Sequence, residues 1–210
     1  MRGAVLGGTG SFGHALAVRL LAGGVHDVVI GSRDAARAAE AAAALDGTVG
    51  RTNEDAVRDA DLVILAVKAD GALETASAVA VPLGATPLLS VASAIEFRPG
   101  VGALPDPDAL SLAERIQDVV AAPVVAGLHS IAAASLGAAR PDEDALVCGD
   151  DSDAKQLVLA LAGELVAGRA LDAGPLRSAR ALEGLTAVIV NLNRRYRAHA
   201  GIRVTGVDGA

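Results

Sequence analysis

The stretch Gly7-Gly8-Thr9-Gly10-Ser11-Phe12-Gly13 decides the fold of this chain. It contains Gly-x-Gly-x-x-Gly and lies between an apolar run at residues 4–6 and two leucines at helical spacing, Leu16 and Leu20. In such a pattern one glycine makes a tight turn, another lets backbone N–H groups approach a pyrophosphate, and the third lets a helix pack closely on a strand. The helix start also favours an anion. The stretch therefore predicts a strand–turn–helix unit that binds a dinucleotide, and the alternative is a glycine-rich turn without a ligand.

Strand-like and helix-like segments alternate along the rest of the chain. Apolar runs at residues 28–30 and 62–67, and a strand-like segment at residues 88–92, are separated by stretches with helical periodicity. Continuous apolar runs are typical of parallel strands that are covered on both faces. Alternating β and α segments call for right-handed crossovers between such strands. The predicted fold class is α/β, a Rossmann-type doubly wound parallel sheet with a small C-terminal α/β domain.

A chain of 210 residues is long enough for one nucleotide domain and a smaller addition. We expect an NADP-binding Rossmann domain at residues 1–140 and a small C-terminal domain with a long helix at residues 141–210. Prolines and glycines predict a long loop at residues 93–108, near the ligand-binding ends of the strands. Residues 130–141 are small and polar, without a predicted element.

The final helix carries an apolar stripe, which predicts burial against a second domain or a second subunit. Its members are Leu182, Leu185, Ile189, Leu192 and Tyr196.

Charge and cysteine content limit the partners and the location. The net charge of −7 argues against nucleic acid or a membrane surface as the main partner. No apolar run reaches the roughly 20 residues needed to span a bilayer. The single cysteine, Cys148, cannot form an intramolecular disulfide, and the N-terminus begins directly with a strand-like segment. We therefore expect a cytoplasmic protein.

The tip of the second strand indicates which dinucleotide binds. NAD-binding proteins place an acidic residue there to bind the ribose hydroxyls, whereas this strand ends in Gly31-Ser32-Arg33 and Arg37 follows one helical turn later. Ser32, Arg33 and Arg37 can hydrogen-bond a 2′-phosphate, and charge-assisted bonds of this kind contribute about 1.5–3 kcal/mol each. These residues predict NADP. The alternative is that both arginines are solvated and that Asp34 binds the ribose.

Several common chemistries are excluded by missing residues. Short-chain dehydrogenases need a tyrosine followed four residues later by a lysine, but the only tyrosine, Tyr196, is followed at that distance by Ala200. The spacings typical of zinc ligands and of the nucleophile elbow of hydrolases do not occur, so no metal ligand is assigned. What remains is direct hydride transfer to a second redox cofactor, in which the protein supplies positioning alone. No residue is assigned as a catalytic acid or base.

Five segments, taken together, resemble the NADPH-dependent reductases of the deazaflavin coenzyme F-420 (F420). They are LGGTGSFGHALAVRLL, VVIGSR, GLHSIAA, VCGDD and LDAGPLRSARALEGLTAVIVNLN, and the resemblance extends from residue 2 to about residue 193. It implies a homodimer that binds NADP in the larger domain and holds the deazaflavin in a cleft beside the nicotinamide. It also implies reversible hydride transfer between NADP(H) and coenzyme F-420.

The resemblance also implies where each part of the two cofactors lies. The cofactor-binding residues are Gly8, Thr9, Gly10, Ser11 and Phe12 at the pyrophosphate, Ser32, Arg33 and Arg37 at the 2′-phosphate, and Val67, Ala69, Ser93 and Ala133 beside the nicotinamide. The substrate-binding residues, facing the deazaflavin, are His129 and Ile131. For His129 the alternative is a structural histidine at the end of a strand.

Two other functions remain open at this point. One is a different NADPH-dependent reductase on the same framework, such as an imine, pyrroline-carboxylate or flavin reductase. The other is a binding protein that senses NADPH without being an enzyme.

Overall fold

The computed structural model describes residues 1–25 and 27–207, in which strands and helices alternate. In chain order the strands are β1 (Arg2–Leu6), β2 (Asp27–Ser32), β3 (Thr48–Thr52), β4 (Leu62–Leu65), β5 (Leu88–Ser90), β6 (Ile95–Arg98), β7 (Gly102–Pro105), β8 (Val124–Gly127), β9 (Ala145–Gly149) and β10 (Ala170–Asp172). The helices are α1 (Ser11–Ala22), α2 (Ala35–Ala43), α3 (Asn53–Ala56), α4 (Ala69–Leu83), α5 (Leu112–Gln117), α6 (Ala133–Ala138), α7 (Ser152–Leu165) and α8 (Ala179–Tyr196), with a 3-10 turn at Leu176–Ser178.

One sheet of eight strands organises the molecule, in the order β10-β9-β8-β5-β4-β1-β2-β3. The strands from β3 to β8 are all parallel, and the order reverses between β1 and β4. This arrangement confirms the predicted doubly wound, Rossmann-type α/β fold. Ligands of such sheets bind beyond the carboxyl ends of the strands, at the point of reversal.

The sheet continues without a break into the C-terminal part of the chain. Strand β9 pairs antiparallel with β8, and β10 pairs parallel with β9. The expected division between residues 1–140 and residues 141–210 therefore lies within one hydrogen-bonded sheet and stays a prediction. Residues 208–210, at the end of the second range, lie outside the described residues.

Helices cover both faces of the sheet and bury two aliphatic clusters. Strand β4, Leu-Val-Ile-Leu, is buried at each of its four positions, because its alternate side chains enter opposite clusters. Cys148 lies fully buried in β9, where desolvation raises the pKa of its thiol to about 12. It packs as a small apolar residue.

Residues 93–108 are not the open loop that their prolines and glycines predict. They contain the antiparallel hairpin β6–β7, which turns at Gly100 with a φ of +76°. On the β7 side, the Asn191 amide of α8 accepts from the Ala103 N–H at 2.8 Å and donates to the Ala103 carbonyl at 2.7 Å. The partner of this strand edge comes from a distant part of the chain, so local composition did not reveal it.

Residues 130–141 also differ from the expectation, since they contain helix α6. This helix packs on α1, and the Arg19 guanidinium donates two hydrogen bonds to the Leu136 carbonyl, at 3.0 and 3.1 Å. The contact places α6 beside the helix that follows the glycine-rich turn. In the described part of the chain, no helix is both long and apolar enough to cross a membrane.

The apolar stripe on α8 is buried at one end and exposed at the other. Leu182 and Ile189 are buried, whereas Leu192 and Tyr196 are 40% and 67% exposed. The first half of α8 is therefore covered by its own chain, and the second half leaves apolar side chains at the surface.

Candidate functional site

The glycine-rich turn between β1 and α1 admits no side chain at its critical positions. Gly7 has a φ of +84°, and a Cβ there would lie 2.6 Å from the Ala66 carbonyl oxygen. A Cβ at Gly8 would lie 2.8 Å from the Ile30 side chain, and one at Gly13 would lie 2.4 Å from the Gly7 carbonyl oxygen. The glycines thus let α1 begin directly against the end of β1, as the pattern predicts.

The start of α1 is open to an anion. Its N-cap residue, Gly10, supplies no side-chain hydrogen bond, and the first turn contains no acidic residue. Gly10 and Ser11 are exposed, while Thr9 and Phe12 are half-buried. The N–H groups of this turn and the positive end of the helix dipole suit a pyrophosphate.

The tip of β2 lies next to this turn, because Leu6 of β1 is in register with Gly31. The Gly7 N–H donates to the Gly31 carbonyl at 3.1 Å. Ser32 follows at once, so the predicted 2′-phosphate residues lie beside the predicted pyrophosphate residues.

The charged side chains at this tip have different environments. The Asp34 carboxylate caps α2 by accepting from the N–H groups of Ala36 and Arg37, at 2.8 and 3.4 Å. The guanidinium groups of Arg33 and Arg37 are exposed and have no ion-pair partner among the described residues. The Asp34 carboxylate is therefore engaged in capping, and two cations face solvent.

A cleft of about 570 Å³ lies at the carboxyl ends of β1, β4, β5 and β8; we call it the strand-end cleft. Its lining comes from the segments that follow these four strands and from α8. The lining residues are Phe12, Val67, Lys68, Ala69, Asp70, Val91, Ala92, Ser93, Ile95, Phe97, Leu128, His129, Ile131 and Thr186.

Many of the predicted site residues meet in this cleft. They are Phe12, Val67, Ala69, Ser93, His129 and Ile131. Other predicted residues lie outside its lining, in the adjoining turn (Gly8, Thr9, Gly10, Ser11), at the β2 tip (Ser32, Arg33, Arg37) and at the first position of α6 (Ala133). This separation matches a long ligand whose phosphates and reactive ring lie in different places.

His129 lies in the cleft wall, where its side chain is buried and the preceding residue has a strained backbone conformation. The preceding Leu128 has a φ of +66°, a conformation that costs a non-glycine residue roughly 1–3 kcal/mol. The His129 side chain is buried, and neither ring nitrogen makes a hydrogen bond of normal geometry among the described residues, although the Ala92 backbone is close enough to interact with the ring. Desolvation lowers the pKa of His129 to about 4, and the polar backbone of Ala92 opposes only part of this shift. The ring is therefore neutral at pH 7, with one N–H donor and one acceptor to offer.

Thr186, which was not among the predicted site residues, links two of them. Its hydroxyl oxygen lies 2.7 Å from Ser93 Oγ and donates to the His129 carbonyl at 3.1 Å. This contact ties α8 to the ends of β5 and β8. The one signal in the sequence was its place in LDAGPLRSARALEGLTAVIVNLN, one of the five segments that carry the family resemblance.

Glu183, one turn before Thr186, is a second buried polar residue of α8. Its carboxylate accepts from the N–H groups of Leu112 and Ala113, at 3.0 and 3.1 Å. Burial raises the pKa of Glu183, and these hydrogen bonds, with the Ala94 backbone, oppose the shift. Glu183 joins α8 to the start of α5, away from the strand-end cleft.

The groups that line the cleft suit the positioning of a ligand better than the transfer of a proton. Its polar groups are a neutral imidazole, two linked hydroxyls and the exposed charges of Lys68 and Asp70. Among the described residues, no group of three His, Cys, Asp or Glu side chains is placed to hold a metal ion. The geometry is that of a mainly apolar slot beside a phosphate-binding turn.

Comparison with known proteins identifies the family. Residues 2–94 match the model of a family described as NADP oxidoreductase, coenzyme F420-dependent. The F420-dependent NADP reductase of Methanocaldococcus jannaschii is 34% identical over 99% of this chain and its own whole length. The enzyme of the same name from Methanothermobacter marburgensis is 35% identical over 99% of each chain.

Solved structures agree with the sequence relatives. A crystal structure from Arthrobacter sp. FB24, described as an F420-dependent NADP reductase, superimposes with a TM-score of 0.86 and 26% identity, covering 98% of this chain and 99% of that one. An imine reductase of Streptomyces aurantiacus shares the fold at 20% identity and a TM-score of 0.60, covering 94% of this chain and 62% of that one. Since the similarity to the F420-dependent NADP reductases of the two methanogens spans nearly the full length of the chain, the protein belongs to the F420-dependent NADP reductase family.

Proposed function

We propose that this protein transfers a hydride reversibly between NADP(H) and the deazaflavin coenzyme F420. The observation that carries the proposal is that the glycine-rich turn and the strand-end cleft meet at Phe12, which belongs to both. A dinucleotide held by its pyrophosphate at the turn can therefore extend its nicotinamide into the cleft. Family membership then supports the deazaflavin as the partner in the cleft.

The reaction balances without an acid or base from the protein. A hydride, with its electron pair, leaves C4 of the reduced nicotinamide for C5 of the deazaflavin, and solvent supplies the accompanying proton. The protein must hold the two carbons about 3–3.5 Å apart and keep water from between the rings. The apolar side chains of Val67, Val91 and Ile131 suit this task.

Ser32, Arg33 and Arg37 select NADP over NAD in this proposal. Both guanidinium groups lie at the β2 tip without ion-pair partners among the described residues, and Asp34 is turned away to cap α2. A 2′-phosphate supplies the anion that these cations lack. The turn residues Gly8, Thr9, Gly10 and Ser11 hold the pyrophosphate, and Val67, Ala69, Ser93 and Ala133 lie on the nicotinamide side.

The function is tested by mixing the protein with NADPH and oxidised F420 and following the loss of the deazaflavin's visible absorbance. We expect bleaching with NADPH and recovery of the absorbance when NADP⁺ is added to reduced F420. The controls are a flavin and a cyclic imine as acceptors. Turnover of the imine or the flavin without F420 turnover contradicts the proposal in favour of another reductase, and tight NADPH binding without any oxidation favours a sensor.

Replacing Arg33 or Arg37 by glutamine should raise the KM for NADPH about 10- to 100-fold, because each variant loses a charge-assisted hydrogen bond of roughly 1.5–3 kcal/mol. The KM for NADH should barely change. Arg177→Gln is the matched control, since Arg177 is an exposed arginine in the 3-10 turn after β10, at the edge of the sheet opposite β3. Equal losses with NADPH and NADH would contradict the assigned role.

We further propose that His129 hydrogen-bonds the deazaflavin and sets its ring position. His129→Ala should lower kcat/KM for F420 about tenfold while the Kd for NADPH stays within a factor of two. Since desolvation holds the imidazole pKa near 4, wild-type turnover should show no His129 inflection between pH 6 and 8. Unchanged F420 kinetics in a variant with a wild-type melting temperature would leave His129 with a structural role.

A homodimer is the third part of the proposal. Val188, Leu192 and Tyr196 recur at four-residue spacing on α8 and are 53%, 40% and 67% exposed. The hairpin that packs on α8 adds Phe97 and Val101, both more than half exposed. Apolar surface of this extent is uncommon on monomers and suits a second copy of the chain.

Sedimentation velocity at micromolar concentration tests the dimer. We expect a dimer for the wild-type protein and a monomer for Leu192→Asp, because a carboxylate buried at the interface would lack a partner. Val81→Asp is the matched control, since Val81 is 92% exposed on α4, away from this surface. A monomeric wild-type protein, or equal dissociation of both variants, would remove this part of the proposal.

The cytoplasmic location also stays a prediction, which cell fractionation tests.

A further inference from the structure

Two hydroxyl groups and one carbonyl form a short hydrogen-bond chain in the wall of the strand-end cleft. Ser93 Oγ lies 2.7 Å from Thr186 Oγ1, and Thr186 Oγ1 lies 3.1 Å from the His129 carbonyl oxygen. Ser93 follows β5, Thr186 belongs to α8 and His129 follows β8. Both hydroxyl residues are half-buried and line the cleft.

The number of hydroxyl hydrogens decides which group donates and which accepts in each hydrogen bond of this chain. A hydroxyl has one O–H, whereas a carbonyl oxygen accepts only. The Thr186 O–H is therefore used on the His129 carbonyl. The Ser93 O–H must then donate to Thr186 Oγ1, because otherwise two lone pairs would face each other at 2.7 Å. What Ser93 Oγ has left for a ligand is acceptor capacity alone.

The main chain fixes the carbonyl that sets this direction. The left-handed Leu128 places the next residues in a tight turn, closed by a hydrogen bond from the Ile131 N–H to the Leu128 carbonyl at 3.1 Å. The neighbouring Ser130 hydroxyl donates to the Asp144 carbonyl at 3.2 Å, in the buried interior. The His129 carbonyl is thus held from both sides, and the proton order of the chain does not depend on a mobile group.

We infer that Thr186 is a positioning residue that makes Ser93 a hydrogen-bond acceptor, so that the cleft selects a ring bearing an N–H at this point. The inference rests on the proposed function and extends it to ligand selection. Two groups there have this chemistry: the primary amide of the nicotinamide and the imide of the deazaflavin. A methyl ketone or an N-methyl imide in the same place leaves Ser93 without a partner in a partly buried site.

His129 does not impose the same hydrogen-bond direction on a ligand. A neutral imidazole has one donor and one acceptor, so it can pair with a ligand N–H or with a ligand carbonyl. The Ser93 hydroxyl, in contrast, has lost its donor to Thr186. Because the imidazole acceptor can also pair with an N–H, a preference for the N–H ligand is assigned to Ser93 only through its loss in Ser93→Ala.

The test compares two pairs of ligands that differ at this group. The first pair is NADPH and reduced 3-acetylpyridine adenine dinucleotide phosphate, in which a methyl group replaces the amide nitrogen; dissociation constants come from the fluorescence of the reduced ring, without F420. The second pair is F420 and its imide N-methyl derivative, compared by KM. For each variant, the constants of the two ligands of a pair are divided by each other, and this ratio is then compared between variants. Differences in the intrinsic chemistry of the two rings therefore cancel.

The variants are Thr186→Val, which keeps the shape and removes the hydroxyl, Thr186→Ser, which restores it, and Ser93→Ala. Thr86→Val is the matched control, because Thr86 precedes β5 at the other end of the strand. We expect the wild-type protein, Thr186→Ser and Thr86→Val to prefer the N–H ligand of one pair about tenfold. Ser93→Ala should reduce that ratio to about one, because the acceptor is gone, and Thr186→Val should lower it at least about threefold, because the Ser93 hydroxyl can still accept but is no longer held in this orientation.

The ligand pair whose ratio changes in the variants identifies which ligand, NADPH or F420, supplies the N–H. A ratio that is the same in Thr186→Val and wild type for both pairs overturns the inference, as does a wild-type protein that discriminates in neither pair. The nucleotide pair is measured without turnover. Loss of the NADPH preference in Thr186→Val therefore supports the inference even if F420 is not reduced, whereas F420 reduction with unchanged ratios retains the function and rejects the inference.

Discussion

The close approach of α1 to β1 is the constraint on which the rest of the site depends. A side chain at Gly13 would place its Cβ 2.4 Å from the Gly7 carbonyl oxygen, a separation that real contacts do not reach. Because this space is empty, the helix begins directly at the end of the strand, with its N–H groups facing outward. The turn also brings Gly7 into hydrogen-bond contact with Gly31 at the β2 tip. One contact between glycines thus sets the positions of the glycine-rich turn and the β2 tip together.

Helix α8 has the corresponding role on the other side of the cleft. Three of its polar residues each secure a different segment: Glu183 the start of α5, Thr186 the ends of β5 and β8, and Asn191 the β6–β7 hairpin. A buried or half-buried polar group without a partner is costly, so each of these residues is tied to its particular contact. The polar residues of α8 therefore fix the segments that form one side of the cleft.

Prediction from the sequence succeeded where the signal was local or periodic. The apolar runs and the glycine pattern predicted the fold class, the five segments indicated the family by resemblance, and both are confirmed. It was wrong for residues 93–108, which form a hairpin, and it assigned no element to residues 130–141, which contain α6. In both cases the stabilising partner is distant in the chain: Asn191 for the hairpin, and Arg19 for α6. Composition alone describes the segment and not the surface on which it packs.

The sequence by itself determined the glycine-rich turn and the β2 tip, where the phosphates of NADP are proposed to bind. Backbone conformation at Gly7, close packing at Gly13 and capping by Asp34 are short-range effects that residue type decides. Only the tertiary structure decided the other end, where His129 loses its charge by burial and where Ser93 becomes an acceptor. Neither property belongs to the residue alone. Desolvation and the direction of a hydrogen bond depend on neighbours that folding brings from β5, β8 and α8 to one wall of a cleft.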